Sequence, residues 1–98
     1  PSGETKLRFV HLSPDAPAVD IAARGGDVIF SGVQFKEVTK YLPLSPMHVQ
    51  LSVRIAGTKN VVLEIPALNL RPNRTYTVYA VGFAKNRPAL EALISQDR

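Results

Sequence analysis

Hydrophobic and polar positions alternate most regularly from His48 to Ile55, where Val49, Leu51, Val53 and Ile55 interleave with His48, Gln50, Ser52 and Arg54. A period of two residues marks a strand with one buried and one solvated face. Ala56-Gly57-Thr58-Lys59-Asn60 follows as a turn in which Gly57 is free to take positive φ. The pattern resumes from Val61 to Ile65, with Val61, Leu63 and Ile65 on one face against Val62 and Glu64. The two runs predict an antiparallel hairpin. Pro66 ends the return strand or sits in a bulge within it, because proline donates nothing to a ladder. Leu68-Asn69-Leu70 is a candidate continuation of that edge.

Arg71-Pro72-Asn73-Arg74 carries turn chemistry, proline presetting φ and asparagine tolerating a left-handed backbone. Thr75 to Phe83 is then continuously β-branched, aromatic or apolar, which predicts a central strand covered on both faces. Upstream, Leu7 to Leu12 and Ala18 to Ala23 read as strands, and Gly25-Gly26-Asp27 as a tight turn into Val28-Ile29-Phe30. Val33 to Val38 predicts another short strand, and Pro43 and Pro46 interrupt the chain before the long strand at His48. The tail from Pro88 to Ser95 reads two ways. Leu90, Leu93 and Ile94 fit helical spacing, yet a final strand would complete a sheet. About seven short strands separated by proline and glycine predict an all-β fold, an antiparallel β-sandwich, with a small closed barrel of the OB type as the nearest competitor.

A chain of 98 residues is expected to form one domain, residues 1–98, burying ~60–70% of the surface its unfolded form exposes. The absence of cysteine removes disulfides, thiolate zinc sites and a thiol nucleophile together. No apolar run approaches the roughly 18 residues of a membrane span. The N-terminus, Pro-Ser-Gly-Glu-Thr, does not resemble a signal peptide, so the expectation is a mature product or an excised module of a longer protein. The net charge is +4, from 12 Lys and Arg against 8 Asp and Glu. Such a balance suits polyanions such as nucleic acid, but the charges are scattered, and an ordinary solvated surface explains them with less.

Candidate chemistry concentrates in His11-Leu12-Ser13-Pro14-Asp15-Ala16-Pro17-Ala18-Val19-Asp20. His11, Ser13 and Asp15 are the residue types of a hydrolase triad. In an extended strand, however, His11 and Ser13 would stand ~7 Å apart on one face, too far for a base to bond its nucleophile. No nucleophile elbow accompanies them. The plainer account is structural: Ser13 and Asp15 accept backbone N–H groups, Pro14 and Pro17 stiffen the crossover, and His11 satisfies buried carbonyls beside it. Between these lies a metal reading. Asp15, Asp20 and Asp27 are candidates for an oxygen-rich calcium site, though no EF-hand spacing is present. A zinc site on His11 and His48 would need carboxylate help. Of the aromatic residues, a tyrosine at a strand corner is expected to cap backbone with its hydroxyl and the phenylalanines to fill the core. Tyr76 and Tyr79 fall on opposite faces of their strand, which weakens a stacking platform for nucleic acid.

The run from Leu7 to Asp20, with its H-x-S-P-D-A-P core, resembles the signature of a bacterial domain-of-unknown-function family, numbered forty-three ninety-seven. The resemblance continues through Tyr41-Leu42, Ala56-Gly57-Thr58, Tyr76-Thr77-Val78, Ala80-Val81-Gly82 and the tail Leu90 to Asp97. It departs from the family at Leu44-Ser45-Pro46-Met47 and at Pro72-Asn73, where the family often has glycine, which affects loop shape alone. The resemblance implies an immunoglobulin-like or transthyretin-like sandwich, exported or envelope-associated, often in tandem copies, and a final strand in the tail. It implies no activity and no catalytic residues. The expectation is a non-enzymatic binding or structural module without cofactor, its partner a protein or a cell-envelope polymer. A nucleic-acid-binding barrel is the alternative and a hydrolase the third reading. His11, Ser13, Pro14, Asp15, Pro17 and Asp20 are the motif to examine, with Arg24 and Asp27 from the neighbouring turn.

Overall fold

The structure, a computed structural model, describes residues 4–23, 26–44, 47–83 and 88–97, with the backbone alone described at 47–49. Within them lie eight strands: β1 (Thr5–Leu12), β2 (Val19–Ala23), β3 (Val28–Val33), β4 (Leu42–Leu44), β5 (Met47–Ile55), β6 (Val61–Leu70), β7 (Thr75–Val81) and β8 (Glu91–Gln96). A front sheet has the order β4-β1-β7-β8 and a back sheet the order β3-β2-β5-β6. All neighbours are antiparallel except β1 and β7, which run parallel from Lys6 opposite Thr75 to Leu12 opposite Val81. No strand is shared between the sheets, so the fold is a sandwich and not a closed barrel.

The predicted hairpin is β5 and β6, and its irregularities have local causes. Val61 pairs with Arg54 while Leu63 pairs with Val53, so β6 carries an extra residue there. That bulge turns Val61 out to solvent, where strict alternation placed it inside with Leu63 and Ile65. A second bulge lies between Ile65 and Leu68 and takes in Pro66, on a strand at the sheet's edge where a missing donor is harmless. It also shifts the inward positions from odd to even numbers, which is why Leu68 and Leu70 are buried.

β7 lies between β1 and β8, with Thr77 and Val78 both buried although they face opposite sides. The tail forms a strand, β8, and not a helix. One expectation fails. Val33 closes β3, and residues 34–38 form a turn around Lys36, whose φ is 74°. This turn is tied to the margin of β1, Lys36 N–H donating to the His11 carbonyl at 2.7 Å and His11 N–H to that of Glu37 at 3.2 Å. Val38 keeps an isolated bridge to Val10. The segment serves β1 without becoming a strand, because a left-handed residue breaks the extended run.

Leu7, Phe9, Tyr76, Val78 and Ala80 from the front sheet meet Val19, Ile21, Leu51, Val53, Ile65, Leu68 and Leu70 from the back sheet, with Val33 closing the layer. Tyr76 is buried and its hydroxyl accepts the N–H of Arg71 at 3.1 Å, fixing the corner where the chain enters β7. Asn73, in the same corner, has φ 59°. The turns after β1, β3, β5 and β7 gather at one end of the sandwich, as the pairings of Leu12 with Val81 and of Val19 with both Ile55 and Val33 require.

Candidate functional site

Residues 13–18 carry the chain from β1 in the front sheet to β2 in the back sheet. His11 is the last inward-facing residue of β1 and is 1% exposed. Its Nε2 lies 3.1 Å from the Pro17 carbonyl oxygen, and its Nδ1 accepts the N–H of Ser13 at 3.2 Å. Those partners assign the neutral tautomer with the proton on Nε2, donated to Pro17. The Ser13 carbonyl accepts the N–H of Ala16 at 3.3 Å, closing a turn with Pro14 in its second position. Ser13 Oγ is 3.4 Å from Asp15 Oδ1, a long contact, and Ser13 is fully buried. The Phe35 ring and the imidazole form a T-shaped pair, with centroids 6.3 Å apart. The triad residue types therefore do meet, but both imidazole nitrogens bond the backbone, and no base–nucleophile bond exists between His11 and Ser13 Oγ.

Asp20 points out of the back sheet yet is only 8% exposed. Its Oδ1 accepts the N–H of Gly32 at 2.8 Å and its Oδ2 that of Gly57 at 3.0 Å. Both glycines are left-handed, with φ of 62° and 78°, and turn their amides toward one carboxylate. The Ala18 carbonyl, two residues earlier, accepts the N–H of Ala56 at 3.0 Å. β2 thus holds the end of β3 and the β5–β6 turn together. Arg54 is opposite Asp20 in the ladder, and its Nε is buried without a hydrogen-bond partner among the described residues.

The three aspartates grouped as calcium candidates are not brought together. Asp15 lies by Ser13, Asp20 is engaged by two amides, and Asp27 is exposed at the far end of the β2–β3 hairpin. Among the described residues, no three His, Asp or Glu side chains converge as a metal site would require. Arg24 and the His48 side chain lie outside the described residues.

A second cluster, on the outer face of the front sheet, escaped sequence reasoning. Arg8 Nε donates to Thr77 Oγ1 at 2.8 Å, and Thr77 Oγ1 donates to Asp97 Oδ2 at 2.5 Å. Tyr41 donates its hydroxyl to the same oxygen at 2.9 Å, and Ser95 Oγ donates to Oδ1 at 3.0 Å. The Arg8 guanidinium lies 4.7 Å from the centre of the Tyr41 ring. The Thr77 hydrogen bond, helped by Tyr41, Ser95 and the charge of Arg8, holds the Asp97 carboxyl below the ordinary value of 3.8 against an opposing desolvation effect. Alternation puts Arg8, Thr77 and Ser95 at outward positions of their own strands. That these strands are neighbours follows only from the parallel β1–β7 pairing, a non-local fact.

An apolar row borders this polar one. Val38 bridges Val10, Val10 is opposite Tyr79, and Tyr79 is opposite Leu93. Val10 is buried and Tyr79 half-buried, whereas Val38 and Leu93 are exposed.

Residues 5–98 match a protein family described as a domain of unknown function, DUF4397. No curated protein matches the chain.

Proposed function

This chain belongs to the DUF4397 family over residues 5–98, and from that premise we propose that it is a non-enzymatic binding module, exported or envelope-associated, whose recognition surface is the outer face of the front sheet. The observation that carries the reading is the division of polar groups between its two clusters. In the crossover, His11 and Asp20 spend their side-chain atoms on backbone of the same chain and are buried. On the front sheet, Tyr41 and Asp97 are exposed, Arg8 is half-buried, and all three are held in place by hydrogen bonds or a ring contact beside an apolar row. A fixed aromatic ring, a carboxylate and a guanidinium on a rigid sheet suit a polyhydroxylated ligand, such as a cell-envelope polysaccharide.

The role of the His11-to-Asp20 run is then to hold the two sheets and three turns in register. Export and envelope association rest on the family resemblance. The test is a thermal-unfolding panel with envelope polysaccharides, single-stranded DNA, calcium, zinc and EDTA. A ligand at ~100 times its dissociation constant adds ~2.7 kcal/mol, which moves the midpoint by several degrees in a domain of this size. The reading expects a polysaccharide shift that Tyr41→Ala and Asp97→Ala abolish. A shift with DNA alone would replace it by the polyanion reading, and a polysaccharide shift that both variants retain would move the surface elsewhere.

A further inference from the structure

The four sheet edges are not equally protected against pairing with another strand. β4 has three residues and contains Pro43, β3 is irregular in its pairing and contains Gly32, and β6 has Pro66 and two bulges. β8 has none of these devices. Its six residues, Glu91 to Gln96, pair with β7 without a register shift and include no proline, glycine, lysine or arginine. Among the described residues no strand hydrogen-bonds to its far side, although β6, the edge of the back sheet, comes close to it. An edge of this kind is a template for a further strand.

The ladder shows which groups are offered. Asp97 N–H donates to the Thr75 carbonyl, so the odd-numbered residues of β8 bond toward β7. In an antiparallel pair the alternate residues then point their N–H and C=O groups away. Those are Ala92, Ile94 and Gln96. Leu93 and Ile94, on opposite faces of the same strand, are 49% and 43% exposed.

We propose that β8 is a homodimerisation edge, taking β8 of a second copy in antiparallel register about a two-fold axis at Leu93. The sequence of the strand is complementary to itself in that arrangement. Leu93 faces its symmetry mate, Ala92 is opposite the second copy's Ile94, and Glu91 is opposite the second copy's Ser95. Both exposed aliphatics gain an apolar neighbour on the correct face, and no like charges oppose one another. Centring the pair on Ile94 instead places Glu91 opposite the second copy's Asp97, twice over, which is repulsive. The Leu93 register also prolongs the Val10–Tyr79–Leu93 row across both protomers in one eight-stranded sheet. The inference is independent of what the front face binds.

The chain has no cysteine, which makes a single introduced thiol diagnostic. At a non-hydrogen-bonded pair the Cα atoms are ~4.5 Å apart, within disulfide range. Leu93→Cys is expected to oxidise to a covalent dimer at least roughly tenfold faster than Val61→Cys, an exposed control on the back sheet, because pairing makes the reaction effectively intramolecular. Sedimentation of the unmodified chain between roughly 10 µM and 1 mM, the range suited to a small interface, is expected to show its mass rising toward the dimer. Leu93→Lys is expected to remain monomeric with an unchanged circular dichroism spectrum. If that variant fails to fold, the cysteine comparison still decides. A chain monomeric throughout, with equal oxidation at positions 93 and 61, overturns the proposal. Faster cross-linking of Ile94→Cys than of Leu93→Cys overturns the register.

Discussion

Removing the Asp20 carboxylate tests whether the crossover end of the sandwich is held as described. Its two oxygens each accept one backbone amide, from Gly32 at 2.8 Å and Gly57 at 3.0 Å, and the residue is almost fully buried. A hydrogen bond to a charged group contributes about 1.5–3 kcal/mol net. Both glycines are exposed, so their amides rehydrate once the carboxylate is gone, which places each bond near the lower end of that range. Asp20→Ala is therefore expected to cost about 3 kcal/mol. Asp20→Asn keeps one acceptor and turns an NH2 group toward the other amide, for a loss of about 2 kcal/mol. At 4–8 °C per kcal/mol for a domain of this size, the asparagine variant should melt about 10 °C early. Urea unfolding followed by circular dichroism measures the loss, with an unchanged denaturant slope as the sign that the denatured state is unaltered. Millimolar calcium should leave the parent midpoint where it is, since both oxygens already face N–H donors and, among the described residues, no three His, Asp or Glu side chains converge as a metal site would require. A loss below ~0.5 kcal/mol for Asp20→Asn, the range of an ordinary surface substitution, would refute the clamp.

Other perturbations have equally definite outcomes. His11→Ala removes two bonds to the crossover backbone and empties a buried ring site, and is expected to cost about 3–4 kcal/mol by the same urea assay. Gly82 has φ 89°, and a β-carbon there would lie 2.9 Å from the Ala89 carbonyl carbon, 3.0 Å from the Pro88 oxygen and closer still to the Ala89 oxygen. Gly82→Ala should therefore cost about 2–4 kcal/mol and detach residues 88–90 from β7, seen as early amide exchange at Phe83, whose N–H now donates to the Pro88 carbonyl. The depressed Asp97 carboxyl contributes stability that is present above 3.8, its ordinary value, and is lost as pH falls through the lower folded-state value. Asp97→Asn should flatten that limb of the pH–stability profile. Tyr41→Phe should raise the Asp97 midpoint in a carbon-detected NMR titration by deleting one hydroxyl donor.

The fold was legible in the sequence wherever its causes were local. Alternation marked β5, the β-branched run marked β7, and Pro66 marked either the end of the return strand or a bulge within it, of which the structure has the bulge. Tail periodicity was compatible with helix and strand alike, and β8 became a strand because β7 offered it an edge, which no window of sequence contains. Val33 to Val38 looked like a strand by composition, yet Lys36 adopts a left-handed backbone and the segment instead bonds the margin of β1. The front-sheet cluster was hidden for the same reason as β8. Arg8 and Thr77 are 69 residues apart in sequence and meet only through a parallel pairing.

The His11-to-Asp20 run stands out because turn formation demands particular residue types at adjacent positions, and backbone geometry imposes that demand whether or not a ligand exists. Here both imidazole nitrogens, both Asp20 oxygens and the Ser13 carbonyl are engaged by the chain's own backbone. A site needs polar and aromatic surface that solvent still reaches after folding. Arg8, Tyr41 and Asp97 leave no run in the sequence because three separate segments supply them, but Tyr41 and Asp97 are exposed where a second molecule can reach, with Arg8 half-buried beside them. If the chain binds through its front sheet, exchanging the crossover motif for another of equal turn propensity should alter stability and leave affinity intact. Substitution of Tyr41 by alanine should weaken affinity with only a small loss of stability. Affinity lost in the crossover series and kept in the Tyr41 variant would mean that the crossover end itself is the surface.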